Sequence, residues 1–348
     1  MSPATRVLIA PDSFKGTFTA AEVAAAIGAG ALGAGVDVDL APVADGGEGT
    51  LAILVDALGG RTETAAVTGP LGQRVTARYG LLDGGSTAVI EAAEACGLSL
   101  SPAGELDAEM ASTRGVGELL LIARRRGARR MLVTVGGSAT TDGGRGALDA
   151  IRVGGGLGGV ELEVLCDVSV AFENAARIFA PQKGASPAAV ARLTDRLERQ
   201  AAQLPKDPRG VPMTGAAGGL SGGLWAALGA TLRPGADYVL DAIEIDERLS
   251  RSAAVVTGEG RLDEQSLQGK LVGAIAARAR RAGVRIHAVV GSTALAPADA
   301  RSLGLASVRE APTLADMKRA GRDVAFELTA GSIGSHTRQP FRLTPMEI

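Results

Sequence analysis

The sequence predicts an α/β protein with two domains. Near its start and again in its last third, short apolar runs lead into glycine-rich turns and then into helical patterns, which is the rhythm of βαβ units. Between them, residues 62–98 alternate in β fashion around turns at 69–72 and 83–85, which predicts a three-stranded meander. At 348 residues the chain is long enough for two domains.

The composition argues against several functional classes. A net charge of −2 and an aromatic content of 3% give no surface suited to nucleic acid. No apolar run approaches the roughly 20 residues that a membrane helix needs, and the N-terminus runs into a strand without a signal peptide. Cys96 and Cys166 lack metal-like spacing. We therefore expect a reduced, cytoplasmic enzyme, and we leave a homodimer open.

Histidine is scarce, which narrows the chemistry. The chain has only His287, inside a strand-like run, and His336, in the C-terminal tail. A histidine-based triad or a histidine-rich zinc site is therefore disfavoured. Catalysis is expected to rest on carboxylates, lysines, arginines, hydroxyls and the backbone.

The first predicted strand, residues 6–10, ends in the sequence PDSFKG at 11–16. A helix is expected to begin at Thr19, with Glu22 completing a capping box. Ligands of open α/β sheets bind at the carboxyl ends of the strands, so the loop is a candidate binding site. Its candidate residues are Asp12, Ser13 and Lys15. A solvated Lys15 is the alternative.

A second strand, residues 36–40, leads to DGGEGT at 45–50 and then to a helix. The amides and dipole of a helix N-terminus favour an anion. Asp45 would repel phosphate directly, so a divalent cation between carboxylate and phosphate is the preferred interpretation. Capping of the helix by Asp45 is the alternative.

A later strand, residues 131–135, leads into GGSATTDGG at 136–144. Exposed amides and hydroxyls beside the carboxylate of Asp142 suit phosphate chemistry. The candidate phosphate ligands are Gly136, Gly137, Ser138 and Thr140. A tight turn in which Asp142 caps the next helix is the alternative.

Comparable loops recur later in the chain. Asp167 follows a strand, Lys183 precedes a helix that begins near Ser186, and Arg114 lies among glycines at a helix start. A further strand, 253–257, leads to a cluster of charged residues. These are Glu259, Arg261, Asp263 and Lys270.

Acids for Mg²⁺ and lysines for phosphate are what phosphoryl transfer needs. The carboxylates that follow strands are Asp45, Asp142, Asp167, Glu259 and Asp263, and the loop lysines are Lys15, Lys183 and Lys270. The chain has no G-x-x-x-x-G-K-[S/T], no G-x-G-x-x-G after a strand and no protein-kinase motif set. If the protein is a kinase, its nucleotide site is therefore of a less common kind.

Seven motifs resemble, in their order, those of the bacterial glycerate kinase type-2 family. They are PDSFKG (11–16), DGGEGT (45–50), GPLG (69–72), GGSATTDGG (136–144), PQKG (181–184), GAAGG (215–219) and TGEGRLD (257–263). The resemblance covers about residues 6–295 and, taken together, the motifs are highly specific.

The resemblance implies two α/β domains. One is flavodoxin-like, with a doubly wound parallel sheet, and is formed by residues 1–62 and 236–348. The other, residues 63–235, is a restriction-endonuclease-like mixed α/β domain inserted into the first. The resemblance also implies that ATP phosphorylates glycerate in the presence of Mg²⁺, generally giving 2-phosphoglycerate.

Roles for the candidate residues follow from their chemistry. Asp142, Asp45, Lys15 and Lys183 are the expected catalytic residues. Gly136, Gly137, Ser138, Thr140, Lys270 and Glu259 are expected to bind phosphate or nucleotide. Asp12, Ser13, Arg114 and Arg261 are expected to bind the substrate, with either arginine taking its carboxylate. Asp45 and Asp263 are the expected metal ligands.

The chain departs from the family in three places. At the linker 154–159 the chain is shorter than family members by roughly a couple of dozen residues. Residues 169–174 stand where the family usually has an Asn-Pro-Leu loop, and Thr141 stands where it usually has an asparagine. A paralogue that phosphorylates a related small hydroxy acid in specialised metabolism is therefore one alternative. A nucleotide-binding protein without turnover is the other.

Overall fold

The computed structural model describes residues 5–101, 106–264 and 271–330, and the backbone of 342–344. Its contacts divide the chain into two compact units. Unit 1 comprises Met1–Asp45 and Val239–Ile348, and unit 2 comprises Gly46–Tyr238. The first boundary thus lies earlier in the chain than 62/63, and the second lies slightly later than 235/236. Parallel and mixed sheets with flanking helices confirm the predicted α/β class.

Unit 1 contains a six-stranded, wholly parallel sheet. Its strands are β1 (Arg6–Pro11), β2 (Asp37–Leu40), β9 (Ala254–Gly258), β11 (Arg285–Val290), β13 (Leu305–Glu310) and β14 (Arg342–Thr344). They lie in the order β14-β13-β11-β9-β1-β2. Counted along the unit this is 2-1-3-4-5-6, the order of flavodoxin-like sheets, with the ligand-binding switch point between β1 and β9. A small parallel pair, β10 (Arg261–Leu262) and β12 (Ser292–Thr293), follows β9 and β11.

Among the residues that the structure describes, five helices lie within unit 1. They are α1 (Ala20–Leu32), α10 (Ile245–Ser250), α11 (Leu271–Ala282), α12 (Pro297–Ser302) and α13 (Leu314–Ala330). The capping box expected at Thr19 is present, with Glu22 as its return partner. A Cβ on Gly30 of α1 would lie 1.8 Å from the Lys318 carbonyl oxygen, so only glycine allows α1 and α13 to pack this closely. Apolar residues of both helices and of β1 form the core.

Unit 2 contains a mixed six-stranded sheet. Its strands, in spatial and chain order, are β3 (Arg61–Thr68), β4 (Arg74–Leu82), β5 (Thr87–Glu91), β6 (Arg130–Thr134), β7 (Glu161–Cys166) and β8 (Thr231–Pro234). The first three are antiparallel neighbours, as expected of the meander, and the remaining pairs are parallel. The carboxyl ends of β5, β6 and β7 therefore meet at one edge.

Seven helices accompany this sheet. They are α2 (Thr50–Ala57), α3 (Ala93–Cys96), α4 (Arg114–Arg125), α5 (Arg145–Val153), α6 (Ala175–Phe179), α7 (Pro187–Ala201) and α8 (Ala216–Leu228). A further helix, α9 (Gly235–Ala242), contains the second boundary between the units. Ser186 caps α7 and Pro187 occupies its first position, as the sequence predicts. Within the described ranges, no helix is long and apolar enough to cross a membrane.

Candidate functional site

A cavity of about 480 Å³ lies in unit 1 at the switch point of the parallel sheet. β1 and β9 end side by side, with Pro11 paired to Gly258, and the Asp12 amide donates to the Gly258 carbonyl at 2.8 Å. The residues that follow the two strands therefore face the same space. Six predicted site residues line it: Asp12, Ser13, Lys15, Glu259, Arg261 and Asp263. A volume of this size accommodates a small ligand.

Carboxylates and a lysine are coupled in this cavity. Lys15 donates to Asp45 Oδ2 at 3.1 Å. Asp12 is only 5% exposed, and its burial, together with the charge of Asp45, raises its pKa to about 7. The charge of Asp45 raises the pKa of Lys15. The structure thus brings Asp12, Lys15 and Asp45 together, and it places an excess of negative charge around one cation.

The remaining unit 1 residues extend the same surface. Arg261 is largely exposed on the short strand β10, and its Nε lies 3.8 Å from Asp263 Oδ2. Lys270 lies outside the described residues. Where side chains are described, no group of three or more His, Cys, Asp or Glu has a geometry that could hold a metal ion.

Asp142, in unit 2, lies in a tight turn before α5, and its carboxylate accepts from amides at the start of that helix, whose N-cap residue is Gly144. Its Oδ2 accepts from the Thr113 amide and hydroxyl, both at 2.9 Å, and from the Gly146 amide at 3.1 Å. Its Oδ1 accepts from the Gly144 amide at 3.1 Å. The side chain is 9% exposed. These contacts match the helix-cap alternative, because they join the start of α5 to Thr113, at the start of α4, and occupy the lone pairs that a general base needs.

Lys183 also contacts the 136–144 loop. It is 3% exposed, and its ammonium donates to Ser138 Oγ at 3.1 Å and to the Thr140 carbonyl at 2.6 Å. Burial lowers its pKa to about 8. The structure therefore brings Lys183, Ser138, Thr140 and Asp142 together, as part of the interior of unit 2.

The glycine loop uses much of its backbone to pack against its neighbours. The Ala139 amide donates to the Cys96 carbonyl at 2.8 Å, and the Gly143 amide donates to the Gly218 carbonyl at 3.0 Å. Gly218 has φ +64, and a Cβ there would lie 2.1 Å from the Thr140 carbonyl oxygen. The glycines at 215–219 thus allow close packing of α8, one of the two alternatives that small residues leave open. Fewer amides remain for a phosphate than the sequence alone suggests.

The N-terminus of α2 is occupied by a residue that the sequence analysis missed. Glu91, at the end of β5, accepts from the Gly49 amide and from the Leu51 amide. Gly49, and not Asp45, is the N-cap residue, so the capping alternative for Asp45 is wrong. The anion expected at this helix N-terminus is the chain's own carboxylate. No local motif indicates this, because residues 40 and 42 positions apart make the contact.

Two other charged residues have structural partners in unit 2. Arg114 pairs through Nε with Glu118 at 3.0 Å, one helical turn further along α4. Asp167 accepts from the Ala236 amide at 3.1 Å, at the start of α9. Arg114 is therefore a weaker candidate than Arg261 for a substrate carboxylate.

Comparisons with known proteins agree with one family. The model of the glycerate kinase family matches residues 7–156 and 152–331. Glycerate 2-kinase of Escherichia coli K12 is 39% identical over 324 residues, which cover 82% of this chain and 85% of the relative. Glycerate kinase of Bacillus cereus is 34% identical over 370 residues, which cover 95% and 97%.

A solved structure extends the likeness to the fold. The crystal structure of a protein assigned as glycerate kinase 2 of Salmonella typhimurium LT2 superposes with a TM-score of 0.76 at 32% identity. The match covers 95% of this chain and the whole of that one. Together with the family match, this likeness shows that the chain belongs to the glycerate kinase family.

Proposed function

We propose that the protein transfers the γ-phosphoryl group of ATP to a hydroxyl of glycerate, giving 2-phosphoglycerate and ADP. The acceptor oxygen forms a bond to the γ-phosphorus, the bond from that phosphorus to the bridging oxygen of ADP breaks, and the hydroxyl proton is released. Membership of the family supports a kinase acting on glycerate. The observation that carries the proposal is the cavity at the ends of β1 and β9, which gathers Asp12, Lys15 and Glu259.

A magnesium ion fits the donor set of this cavity. Burial of Asp12 is the largest cause that raises its pKa, the charge of Asp45 adds to it, and a cation beside these carboxylates offsets both effects. Mg²⁺ takes one or two protein carboxylates and completes its shell with water and phosphate oxygens, so no all-protein cage is required. Asp45 and Asp263 would hold it, and it would supply charge neutralisation for the phosphate oxygens.

Lys15 and Arg261 complete the proposed site. Lys15 has an exposed side chain despite its ion pair with Asp45, so its ammonium can exchange this partner for a phosphate oxygen. Arg261 lines the same cavity and presents a planar fork that suits the glycerate carboxylate. Ser13 and Asp12 offer hydrogen-bonding groups for the glycerate hydroxyls. Glu259, and Lys270 beyond the described residues, are proposed to contact the nucleotide.

Within unit 2, the loop at 136–144 is proposed as a separate phosphate-binding element. Asp142 and Lys183 fix its course from inside, which leaves Gly136, Gly137 and the neighbouring hydroxyls to meet phosphate. Preorganised dipoles of this kind act without reorganisation during the reaction.

The altered loop at 169–174 bears on the alternative acceptors. Its Phe172 is fully buried, and the Phe172 amide donates to Thr214 Oγ1 at 3.0 Å. A Cβ on Gly222 would lie 2.5 Å from the Phe172 ring. This part of the replacement therefore packs the interior of unit 2, which favours glycerate over a related hydroxy acid.

The test is ADP release from ATP and Mg²⁺ with D-glycerate, L-glycerate and related hydroxy acids, followed by phosphorus NMR of the product. Phosphate on the 2-hydroxyl of glycerate supports the proposal. Preference for another acid supports the paralogue, and phosphate on the 3-hydroxyl corrects the product. ATP binding by calorimetry without transfer to any acid supports the nucleotide-binding alternative.

A further inference from the structure

Glu91 is a buried carboxylate at the edge where β5 ends. It is 3% exposed, and its two oxygens lie 3.0 and 3.1 Å from the Gly49 amide nitrogen. Its Oε2 also accepts from the Leu51 amide at 3.1 Å. Gly49 has φ +91, a conformation that glycine adopts without strain. The carboxylate thus fixes both the start of α2 and the unusual backbone immediately before it.

The loop held by Glu91, residues 46–49, packs backbone against backbone on the end of β6. The Val135 amide donates to the Gly46 carbonyl at 3.2 Å. A Cβ on Gly136 would lie 2.5 Å from Gly47 Cα, so the contact tolerates no side chain. The residue after Glu91 joins the same strand, because the Ala92 amide donates to the Thr134 carbonyl at 2.9 Å. One short segment therefore connects the DGGEGT and GGSATTDGG motifs.

We propose that Glu91 is a positioning residue for phosphoryl transfer, which fixes the 46–49 loop and thereby the two motifs that flank it. The inference rests on the proposed function. Asp45 directly precedes this loop in the chain, so the order of the loop constrains the backbone of a proposed metal ligand. Glu91 itself is not assigned a contact with substrate.

The charges around Glu91 make its ionisation measurable. Burial is the largest cause that raises its pKa to about 7, the Leu51 and Gly49 amides oppose this rise, and Glu94 and Glu48 add to it. Arg78 is the nearby cation, and it pairs with Glu94. Protonation below about pH 7 removes acceptor capacity toward the two amides. The hydrogen bonds from the Gly49 and Leu51 amides are therefore complete only in the ionised state, although burial makes that state costly.

Replacement by glutamine tests positioning without a large folding defect. The raised pKa means that the buried charge is unfavourable in the folded state, so a neutral amide of the same shape relieves that cost. The glutamine NH₂ group, however, replaces one carboxylate oxygen, so a donor faces the donating backbone amides of Gly49 and Leu51. We expect E91Q to lower kcat about 10- to 100-fold with KM for ATP changed less than about 3-fold, the scale of a misplacement of about 1 Å.

The pH profile separates positioning from a general structural defect. In the wild type, kcat should fall below about pH 7, and this acidic limb should disappear in E91Q. E94Q is the matched control: it should keep the plateau kcat and move the limb to lower pH, because it removes a neighbouring negative charge. E91D should recover part of the activity. G136A should reproduce the kcat defect with the limb retained, since it displaces the loop without changing Glu91.

The outcomes distinguish this inference from the proposed function. An active wild type whose kcat and acidic limb are unchanged in E91Q overturns the positioning role alone. A wild type that phosphorylates no acid in the panel refutes the proposed function and the positioning role with it. Independently of turnover, the Gly49 and Leu51 amide resonances should titrate near pH 7 in the wild type and not in E91Q, and equal behaviour would contradict the contact.

Discussion

In two regions of this molecule a strand is followed by a loop that contains glycines and a carboxylate, but the carboxylate has different surroundings in each. In unit 1, strands β1 and β9 end in charged loops whose Asp12, Lys15 and Glu259 line a cavity. In unit 2, strand β6 ends in a glycine loop whose Asp142 accepts four hydrogen bonds from the chain itself. The charged residues of the first region line a cavity, and the carboxylate of the second orders a turn.

Asp142 and Asp12 differ in the hydrogen-bond donors that surround them. Around Asp142, the starts of two helices supply amides, and a buried carboxylate is stabilised by such donors. Around Asp12, the charged neighbours are Asp45, Lys15 and Glu259, and the Ser13 amide donates to its carboxylate. A strand followed by glycines and an acid therefore predicts a functional edge, but the packing of neighbouring helices decides whether the acid binds a ligand or caps a helix.

Removal of the divalent cation should have the largest effect. Because the carboxylates of unit 1 need a cation to accept phosphate, chelation with EDTA should lower ADP release by at least about 100-fold, and excess Mg²⁺ should restore it. The free energy of unfolding should change little. Undiminished turnover in EDTA would contradict the proposal that the carboxylates of unit 1 bind a catalytic divalent cation.

Substitution of Lys15 tests the unit 1 cavity directly. K15M should lower kcat/KM about 100- to 1,000-fold, the usual cost of losing a group that stabilises developing charge. Stability should change by less than about 1 kcal/mol, since the ion pair with Asp45 is partly exposed.

R6M is the matched control for K15M, because it removes another exposed ion pair of the same unit, with Asp37. It should leave kcat/KM unchanged. A loss of less than about 3-fold in K15M would indicate a solvated lysine, the alternative that the sequence left open.

Substitution of Asp142 should affect stability more than chemistry. D142N places an amide group among backbone donors, and it should lower the free energy of unfolding by about 2–3 kcal/mol, measured by urea denaturation. Turnover per folded molecule should remain within about 10-fold. D149N, an exposed carboxylate on α5, is the control and should change neither quantity appreciably.

Substitution of Lys183 should give a pH signature in stability. Its folded-state pKa, about 8, lies below the ordinary lysine value of 10.5, so the unfolded chain binds more protons between these values. The contribution of Lys183 to stability should therefore rise with pH across this window, by about 1.4 kcal/mol for each unit of pKa shift. Urea titrations of wild type and K183M at pH 8 and 10 should diverge accordingly. A pH-independent difference would mean that the lysine is not buried as a charge.

Much of the fold could be predicted because its signals are local. Apolar runs placed β1, β6 and β9, and the capping box placed the start of α1. The meander at residues 62–98 was predicted from alternation and turn residues. The division between the units was less accessible, because α2 continues the helical rhythm of unit 1 yet packs with unit 2.

The candidate site was predictable only in part. The residues that follow β1 and β9 could each be predicted as candidates, because open α/β sheets bind ligands at the carboxyl ends of their strands. The contacts of Glu91 and Asp142 join elements far apart in the chain, and spacing cannot reveal them. The buried position of Lys183 likewise depends on how its loop packs against Ser138.

The most direct test compares Asp45→Asn with Asp142→Asn in one experiment, with kcat and the free energy of unfolding measured on the same preparations. The account predicts that D45N loses more than about 100-fold in kcat with little loss of stability, and that D142N loses stability while its folded molecules turn over within about 10-fold of wild type. The reverse pattern, with turnover abolished in stable D142N and retained in D45N, would contradict the assignment of the chemistry to unit 1.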